Sequence, residues 1–275
     1  MPYLTTQSNS KQSVDLYYEV HGSGAPVLLV HTWPLNGDSW EKQRNALLAA
    51  GYQVIQLDRR GFGKSDRPSF GYDLETLTKD LKCLIDYLDL QDAVLVGHSL
   101  GAIEVAHYLG KYGSSRVRKA VFVATVGPYL VKADDNSQGV DASVFKGIQA
   151  ALLTDRPAML ASALFGIFGA DILPKELISK AKLDADQVTA AQASAIAVHD
   201  TVNVWLADIR SDHERIDIPT LVIHGTADKS APIEITGMRI AKHAKSKLVA
   251  VKGAPHGLIW THANELNKAI LEFIK

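Results

Sequence analysis

The chain has 275 residues, of which 47% are hydrophobic and 21% charged, and its formal net charge is −1. This length and composition suit one large, soluble α/β domain with a sizeable core. The near-neutral charge offers no field to attract nucleic acid or a membrane surface, so neither is expected as a partner. The one cysteine, Cys83, excludes an internal disulfide framework and a cysteine metal cluster. The first residues lack the layout of a signal peptide, and a cytoplasmic protein is expected.

Short apolar runs recur along the first half of the chain and predict the strands of a sheet. The segment 14–20 alternates like a half-exposed strand, whereas 27–30 is apolar throughout and indicates a buried one. Amphipathic stretches separate such runs, among them a helix over 73–88 and a helix carrying Trp40 that Ser39 would cap. This alternation predicts βαβ units and a mostly parallel sheet flanked by helices. Further strands of this half are predicted at 53–57, 93–96 and 117–123.

The alternation breaks between residues 127 and 212, where helical patterns replace strand patterns. Strands resume at 219–224 and 247–251. A helical insertion is expected to cover the strand ends, where open α/β sheets bind ligands. The alternative is that these helices pack below the sheet. We favour the cap, because the strand pattern is interrupted for so long that the sheet edge would otherwise be uncovered. We therefore predict an α/β core of residues 1–126 and 213–275 with a helical cap of residues 127–212. The helices are predicted at 142–153, 157–168, 174–181, 185–207, 233–244 and 263–274.

A G-x-S-x-G motif, GHSLG, centres on Ser99 and lies between the strand 93–96 and a helical pattern. Strand, tight turn and helix form the context of a nucleophile elbow, which holds a serine hydroxyl at the sheet edge. Side chains at Gly97 and Gly101 would collide with neighbouring backbone in such a turn. The alternative is a purely structural turn, and residues elsewhere in the chain decide between the two.

A serine hydroxyl becomes nucleophilic when a base takes its proton, and a carboxylate fixes the tautomer of that base. In this context the expected chain order is Ser, then Asp or Glu, then His, with each partner in a loop beyond a strand. Asp228 follows the strand 219–224, and His256 follows the strand 247–251. The sequence thus predicts Ser99 as nucleophile, Asp228 as orienting acid and His256 as base.

Other acidic residues and histidines are assigned structural roles. Three aspartates of the insertion follow no sheet strand and are interpreted as solvated carboxylates: Asp200, Asp208 and Asp212. Four histidines are expected to pack, to bond loop backbone or to start a helix rather than transfer protons: His31, His98, His224 and His262.

An oxyanion hole needs two backbone N–H donors aimed at the developing negative charge. One is expected from Leu100, the residue after the nucleophile, and the other from the loop after the strand 27–30. Thr32 and Trp33 keep an N–H in that loop, whereas Pro34 has none. Trp33 is the predicted second donor.

Five blocks in order, HTWPLNGDSW, LDRRGFGKSD, GHSLG, HGTADK and APHG, resemble the α/β-hydrolase superfamily over nearly the whole chain. Within it, the chain is most similar to aryl esterases and cofactor-free bacterial haloperoxidases (perhydrolases). The resemblance implies an α/β-hydrolase fold and ester hydrolysis through Ser99, Asp228 and His256, with Trp33 and Leu100 as oxyanion donors. It also implies that hydrogen peroxide can replace water, and that the enzyme uses no metal, haem or other cofactor.

Pro34 matches the members with stronger perhydrolase activity, and a proline could move the Trp33 carbonyl toward the acyl-enzyme. Two residues depart from the family pattern. Thr32 and Ala102 stand where glycine is usual, and Thr32 is expected to narrow the oxyanion loop.

The predicted partners are a small-molecule ester and water or hydrogen peroxide, and relatives are often homo-oligomers. Phe165, Phe168 and Trp205 are candidates, with Pro34, for an apolar substrate pocket, and core packing is the alternative for each aromatic. Two other functions remain open. One is a lactonase or γ-lactamase/amidase with the same triad, and the other is a non-catalytic, ligand-binding hydrolase scaffold.

Overall fold

The computed structural model describes residues 2–7, 13–242 and 245–275. Their strands form one eight-stranded sheet in the order β1-β2-β4-β3-β5-β6-β7-β8. Strands β1 and β2 pair antiparallel, as do β2 and β4, and all later pairs are parallel. The strands are β1 (Tyr3–Gln7), β2 (Ser13–His21), β3 (Pro26–Val30), β4 (Gln53–Leu57), β5 (Ala93–His98), β6 (Val117–Val123), β7 (Thr220–Gly225) and β8 (Ser246–Val251).

Helices connect the strands and cover the sheet. The α-helices are α1 (Glu41–Ala49), α2 (Leu74–Tyr87), α3 (Leu100–Tyr112), α4 (Ala142–Thr154), α5 (Arg156–Ile167), α6 (Lys180–Gln192), α7 (Ala195–Asp200), α8 (Arg210–Arg215), α9 (Gly237–Ile240), α10 (Leu258–Thr261) and α11 (Ala263–Ile274). Two 3-10 helices, Gly37–Trp40 and Thr201–Leu206, precede α1 and follow α7. Within the described ranges no helix combines the length and apolar character needed to cross a membrane.

The central strands of the sheet are buried on both faces, which explains their apolar sequences. Along β3, Val27 and Leu29 belong to one hydrophobic cluster, whereas Leu28 and Val30 belong to another. Successive side chains of a strand point to opposite faces, so the two clusters lie on opposite sides of the sheet. One side holds Leu47 and the buried residues of α11, and the other side holds those of α2 and α3.

All seven predicted strands are confirmed, and β1 is an additional strand that its polar, threonine-rich sequence did not indicate. The helix at 263–274 is confirmed at both ends, and the helices at 73–88, 142–153 and 157–168 within two residues.

Four local predictions are wrong. Ser39 does not cap α1, because it lies inside the preceding 3-10 helix and its hydroxyl donates to Asn36 O. Residues 174–178 form turns rather than a helix. The predicted helix 185–207 is interrupted at Ser194, whose side chain instead caps α7. The predicted helix 233–244 is reduced to α9, and its last two residues lie outside the described ranges.

Helices α4 to α7 lie between β6 and β7 in the sequence, as does α8. However, α8 packs against α3, and there His107 Nδ1 lies 2.7 Å from the Asp212 carboxylate. Asp212 is therefore buried, and its interpretation as a solvated carboxylate is wrong. The division of the chain at residues 126/127 and 212/213 stays a prediction.

Candidate active site

Ser99 lies at the turn between β5 and α3, in a backbone conformation that side chains rarely adopt. Its φ is 56° and its ψ is −111°, which for a non-glycine residue costs on the order of 1–3 kcal/mol. Two glycines permit the turn. A Cβ at Gly97 would lie 2.3 Å from Gly101 O, and a Cβ at Gly101 would lie 2.2 Å from Val30 O. Since no side chain fits such distances, the spacing of the motif follows from the backbone geometry.

Ser99, His256 and Asp228 form a continuous chain of short polar contacts. His256 Nε2 lies 2.8 Å from Ser99 Oγ, and His256 Nδ1 lies 2.7 Å from Asp228 Oδ2. A carboxylate oxygen only accepts, so Nδ1 carries the ring proton and Nε2 is free to accept from the serine hydroxyl. All three residues are buried. The arrangement can transfer the serine proton to the imidazole and stabilise the imidazolium that results.

The carboxylate of Asp228 is held in place by several donors besides His256. Its Oδ1 accepts from the backbone N–H groups of Ser230 at 2.9 Å and Ala231 at 2.8 Å. Burial raises the pKa of this carboxyl, but the charge and hydrogen bonds of His256 and the His224 imidazole outweigh burial and hold the pKa well below its usual range. Asp228 therefore stays ionised, which its predicted role as orienting acid requires.

His224 lies behind Asp228 at the end of β7. Its Nε2 lies 2.8 Å from Ala231 O and 3.1 Å from Asp228 Oδ2. Because a carbonyl only accepts, Nε2 carries a proton, and this one N–H faces both oxygens. The prediction that His224 donates to loop backbone is confirmed, whereas its contact with Asp228 was missed. A histidine four residues before the predicted acid, on the strand leading to it, was the available signal.

His98 and His31 support the site without facing Ser99 Oγ. His98 Nε2 lies 3.0 Å from His256 O, so it fixes the loop that carries the base. Burial, reinforced by the neighbouring His256, lowers the pKa of His98 to about 3, which keeps its ring neutral. His31 donates through Nδ1 to Thr32 O and accepts through Nε2 from Arg59 N. Both expected structural roles are confirmed, and His262 is the residue that precedes α11.

Of the two residues predicted as oxyanion donors, Leu100 follows Ser99 directly and Trp33 lines the same cavity. Leu100 is the first residue of α3, so its N–H has no acceptor within that helix and lies at its positive end. Trp33 and Ser99 line the same cavity. The Trp33–Pro34 peptide bond is cis, and the Thr32 hydroxyl donates to Trp33 O at 3.1 Å. The Thr32 side chain thus places a hydrogen-bond donor on the carbonyl oxygen of Trp33.

A cavity of about 320 Å³ opens beside Ser99 and His256 and is lined mainly by apolar side chains. Trp205 is one of its walls, as predicted, and its ring meets Trp33 edge to face at 5.1 Å. The other apolar walls include Phe145 and Ile148 of α4, Met159 and Ile167 of α5, and Val126. The cavity is suited to an apolar group attached to a carbonyl carbon at Ser99.

Three residues predicted to line the pocket do not line it. Phe165 is 47% exposed, because it projects from a face of α5 other than the one that lines the cavity. Phe168 is buried, but it packs against Gly257, where a Cβ would lie 2.4 Å from its ring. Pro34 is buried outside the cavity wall. Phe145 of α4 lines the cavity, and the sequence did not single it out.

Two aspartates that were predicted to be solvated, Asp200 and Asp208, form contacts outside the site. Asp208 is exposed and pairs with Arg210, and Asp200 Oδ1 accepts from His199 Nδ1 at 2.7 Å. Neither carboxylate belongs to the chain of contacts that includes Ser99.

A comparison with protein families matches residues 25–263 to the alpha/beta hydrolase fold. A Synechocystis protein named "Putative non-heme chloroperoxidase" is 50% identical over the full length of both chains. A bifunctional esterase/perhydrolase of Acinetobacter calcoaceticus is 34% identical, again over both full lengths. Among solved structures, a bromoperoxidase from Bacillus anthracis superimposes with a TM-score of 0.94 at 41% identity, covering 99% of each chain.

Proposed function

Because this chain belongs to the alpha/beta hydrolase family and is an enzyme, we propose that it is a serine carboxylester hydrolase acting on short-chain and aryl esters. The observation that carries the proposal is the unbroken chain from Ser99 Oγ through His256 to Asp228, at the wall of an apolar cavity. The same site is proposed to perform perhydrolysis when hydrogen peroxide replaces water.

The first half of the reaction forms an acyl-enzyme. His256 Nε2 takes the hydroxyl proton as Ser99 Oγ attacks the ester carbonyl, and Asp228 stabilises the imidazolium. The imidazolium then gives the proton to the leaving alkoxide or phenoxide as the ester bond breaks. The N–H groups of Leu100 and Trp33 are assigned to the oxyanion, and each such donor contributes a factor of about 10² to 10³ in rate.

The second half releases the acyl group to water or to peroxide. His256 takes a proton from the incoming H₂O or HOOH, whose oxygen attacks the acyl carbon, and the proton returns to Ser99 Oγ. Water gives a carboxylic acid and peroxide gives a peracid. The Trp33 carbonyl is the proposed acceptor for the outer O–H of the peroxide, since accepting from Thr32 leaves it a second lone pair. The names of the relatives support this second activity.

Residues 127–212 are proposed to act as a specificity cap, although α8 at their end packs against α3. Helices α4 and α5 and the 3-10 helix at Thr201–Leu206 supply most of the apolar cavity wall. Hydrogen bonds attach the insertion to the core: Trp33 Nε1 donates to Val198 O of α7, and Gly257 N donates to Ile167 O of α5. The acyl group is therefore selected by residues outside the triad.

Replacement of Ser99 by alanine tests the proposal. We expect hydrolysis of p-nitrophenyl acetate by Ser99→Ala to fall by a factor of about 10⁴ or more, because the variant lacks the hydroxyl that contacts His256 Nε2. Ser162→Ala, which removes another hydroxyl from the same cavity, should change the rate by no more than a few-fold. Activity of Ser99→Ala close to that of the native enzyme would refute the mechanism. A native protein with no ester turnover would instead favour a non-catalytic scaffold.

A further inference from the structure

One stripe of helix α5 faces the cavity that contains Ser99. Its members are spaced at i, i+3, i+4, i+7 and i+8, as one face of a helix requires: Met159, Ser162, Ala163, Gly166 and Ile167. The members between Met159 and Ile167 are small, which leaves room in the cavity beside Met159, although Met159 also packs against the hydrophobic cluster that contains α2 and α3. Met159 is half-buried there.

We propose that Met159 is a site of self-oxidation, at which peracid made on Ser99 transfers an oxygen atom to the thioether before it leaves the cavity. The inference rests on the proposed perhydrolysis. Mild oxidants convert the thioether of methionine to a sulfoxide, and this reaction needs no ionised form of the side chain. Met159 lines the same cavity as Ser99 and His256.

The step balances without any additional reactant. Peroxide displaces the acyl group from Ser99 Oγ and forms R–CO–O–OH, as described above. The sulfur of Met159 then attacks the outer peroxy oxygen, and the O–O bond breaks. Sulfur is oxidised by two electrons to S=O, the peracid is reduced to R–COO⁻, and the proton of the outer O–H is released to the carboxylate. The products are the carboxylic acid and methionine sulfoxide.

Confinement gives this reaction its advantage over oxidation from solution. One peracid molecule in a cavity of about 320 Å³ corresponds to a concentration on the order of 5 M. Peracid that accumulates in solution during an assay is several orders of magnitude more dilute. Met159 is therefore exposed to the oxidant in every turnover, whereas other methionines encounter only what escapes.

Oxidation of Met159 would also change the polarity of the cavity wall. A sulfoxide is polar and chiral, and it would stand in a wall otherwise dominated by apolar side chains. Apolar acyl groups would then lose a favourable contact and meet a dipole. The oxidised enzyme is expected to have a higher KM for apolar esters, so perhydrolysis limits itself.

The chain contains its own reference residue. Of its three methionines, Met238 lies on α9, is 42% exposed and does not line the cavity. It reports oxidation by bulk peroxide and by escaped peracid. Met1 lies outside the described residues.

The experiment measures sulfoxide at Met159 and Met238 by peptide mass spectrometry during turnover of a short-chain ester with hydrogen peroxide. Free methionine is added in excess as a scavenger of escaped peracid. We expect Met159 to be oxidised at least tenfold faster than Met238, and Ser99→Ala in the same mixture to show no such preference. Chemically prepared peracid, added to Ser99→Ala, gives the ratio of Met159 to Met238 oxidation that accessibility alone produces. The same ratio measured in the native enzyme during turnover should be higher.

Two contrary outcomes are distinguishable by an independent peracid assay, the oxidation of bromide. If peracid is produced but Met159 is oxidised no faster than Met238, the self-oxidation inference is overturned and the proposed perhydrolysis stands. If the native enzyme produces no peracid, perhydrolysis itself fails and the inference fails with it. During turnover with hydrogen peroxide, Met159→Leu should lose a smaller fraction of its initial activity per unit time than the native enzyme does. Equal fractional losses would overturn the expectation that oxidation of Met159 limits the reaction.

Discussion

The loops at the ends of β5, β7 and β8 and the helices between β6 and β7 contribute walls to the same cavity, but different forces build them. The loops are fixed by hydrogen bonds: Asp228 alone accepts from two backbone N–H groups and from His256. The helices meet the cavity through apolar contacts such as those of Phe145 and Trp205. Polar geometry tolerates little displacement, whereas an apolar wall tolerates exchange of residues of similar volume. Changes in the loops should therefore affect kcat, and changes in the helices should affect the choice of substrate.

The largest effect in this comparison is expected from the carboxylate. Asp228→Asn keeps the shape of the side chain but removes the acceptor that fixes the His256 tautomer, so kcat for p-nitrophenyl acetate should fall by about 10³ to 10⁴. KM should change by only a few-fold, because the apolar wall is intact. Steady-state kinetics measures both constants. Asp208→Asn, at an exposed aspartate that pairs with Arg210, is the matched control and should behave as the native enzyme does.

Two variants of His224 test how much its hydrogen bond to Asp228 Oδ2 contributes to kcat. His224→Leu removes the N–H that lies 3.1 Å from Asp228 Oδ2, and His224→Gln keeps an N–H near that position. We expect kcat to fall on the order of tenfold for leucine and less for glutamine. Equal losses in both variants would show that His224 acts through packing alone.

A selectivity change is expected from the helices. Phe145→Ala enlarges the cavity, so kcat/KM should shift toward longer acyl chains, by about fourfold for each additional buried methylene. A series of p-nitrophenyl esters from acetate to octanoate measures this preference. Phe165→Ala removes a phenylalanine that is 47% exposed and should leave the preference unchanged. A shift in both variants, or in neither, would contradict the assignment of the cavity wall.

The smallest effect in this comparison is an effect on stability, and it is expected from acid. The pKa of His98 is about 3 in the folded protein, because burial and His256 oppose its charge, whereas an unfolded histidine has a pKa of about 6.5. Between these values the unfolded chain binds the additional proton, so stability falls as the pH falls. At pH 5 the loss from this group is about 2 kcal/mol relative to neutral pH.

Urea unfolding at pH 7 and pH 5 checks this prediction. His98→Gln keeps a donor near His256 O but does not titrate, so its unfolding free energy should depend less steeply on pH. The pKa of buried His31 is lowered too, by burial and by Arg59, and its contribution should remain in that variant. An identical pH dependence in the native protein and the variant would show that His98 is not the source.

The same contrast explains which features were predictable from the sequence. Ser99, Asp228 and His256 each follow a strand whose apolar run is short and clear, so their meeting at one sheet edge follows from the strand order. No comparable rule predicts which side chains of the helices line the cavity. Whether Phe145 or Phe165 faces the cavity depends on how each helix is rotated, and one helix residue turns by about 100° relative to the next. Asp212 was misjudged for a similar reason, since its burial depends on the packing of α8 against α3.

Local cues also failed where tertiary contacts override them. The helical pattern at 185–207 is continuous in sequence, but Ser194 N bonds to Gly61 O and the chain turns there. Strand β1 has little apolar sequence, and it forms because it can pair with β2 along five residues. Both features depend on partners distant in sequence, which periodicity cannot reveal.

The most direct test of the proposed nucleophile is to locate a covalent label. A fluorophosphonate reacts with a serine only where a base activates it and an oxyanion hole receives the phosphoryl oxygen. Peptide mass spectrometry of the labelled native protein should place one adduct per chain on Ser99, and His256→Ala should label more slowly by a factor of 100 or more. Labelling at another residue, or equally fast labelling of Ser99 in His256→Ala, would contradict the account.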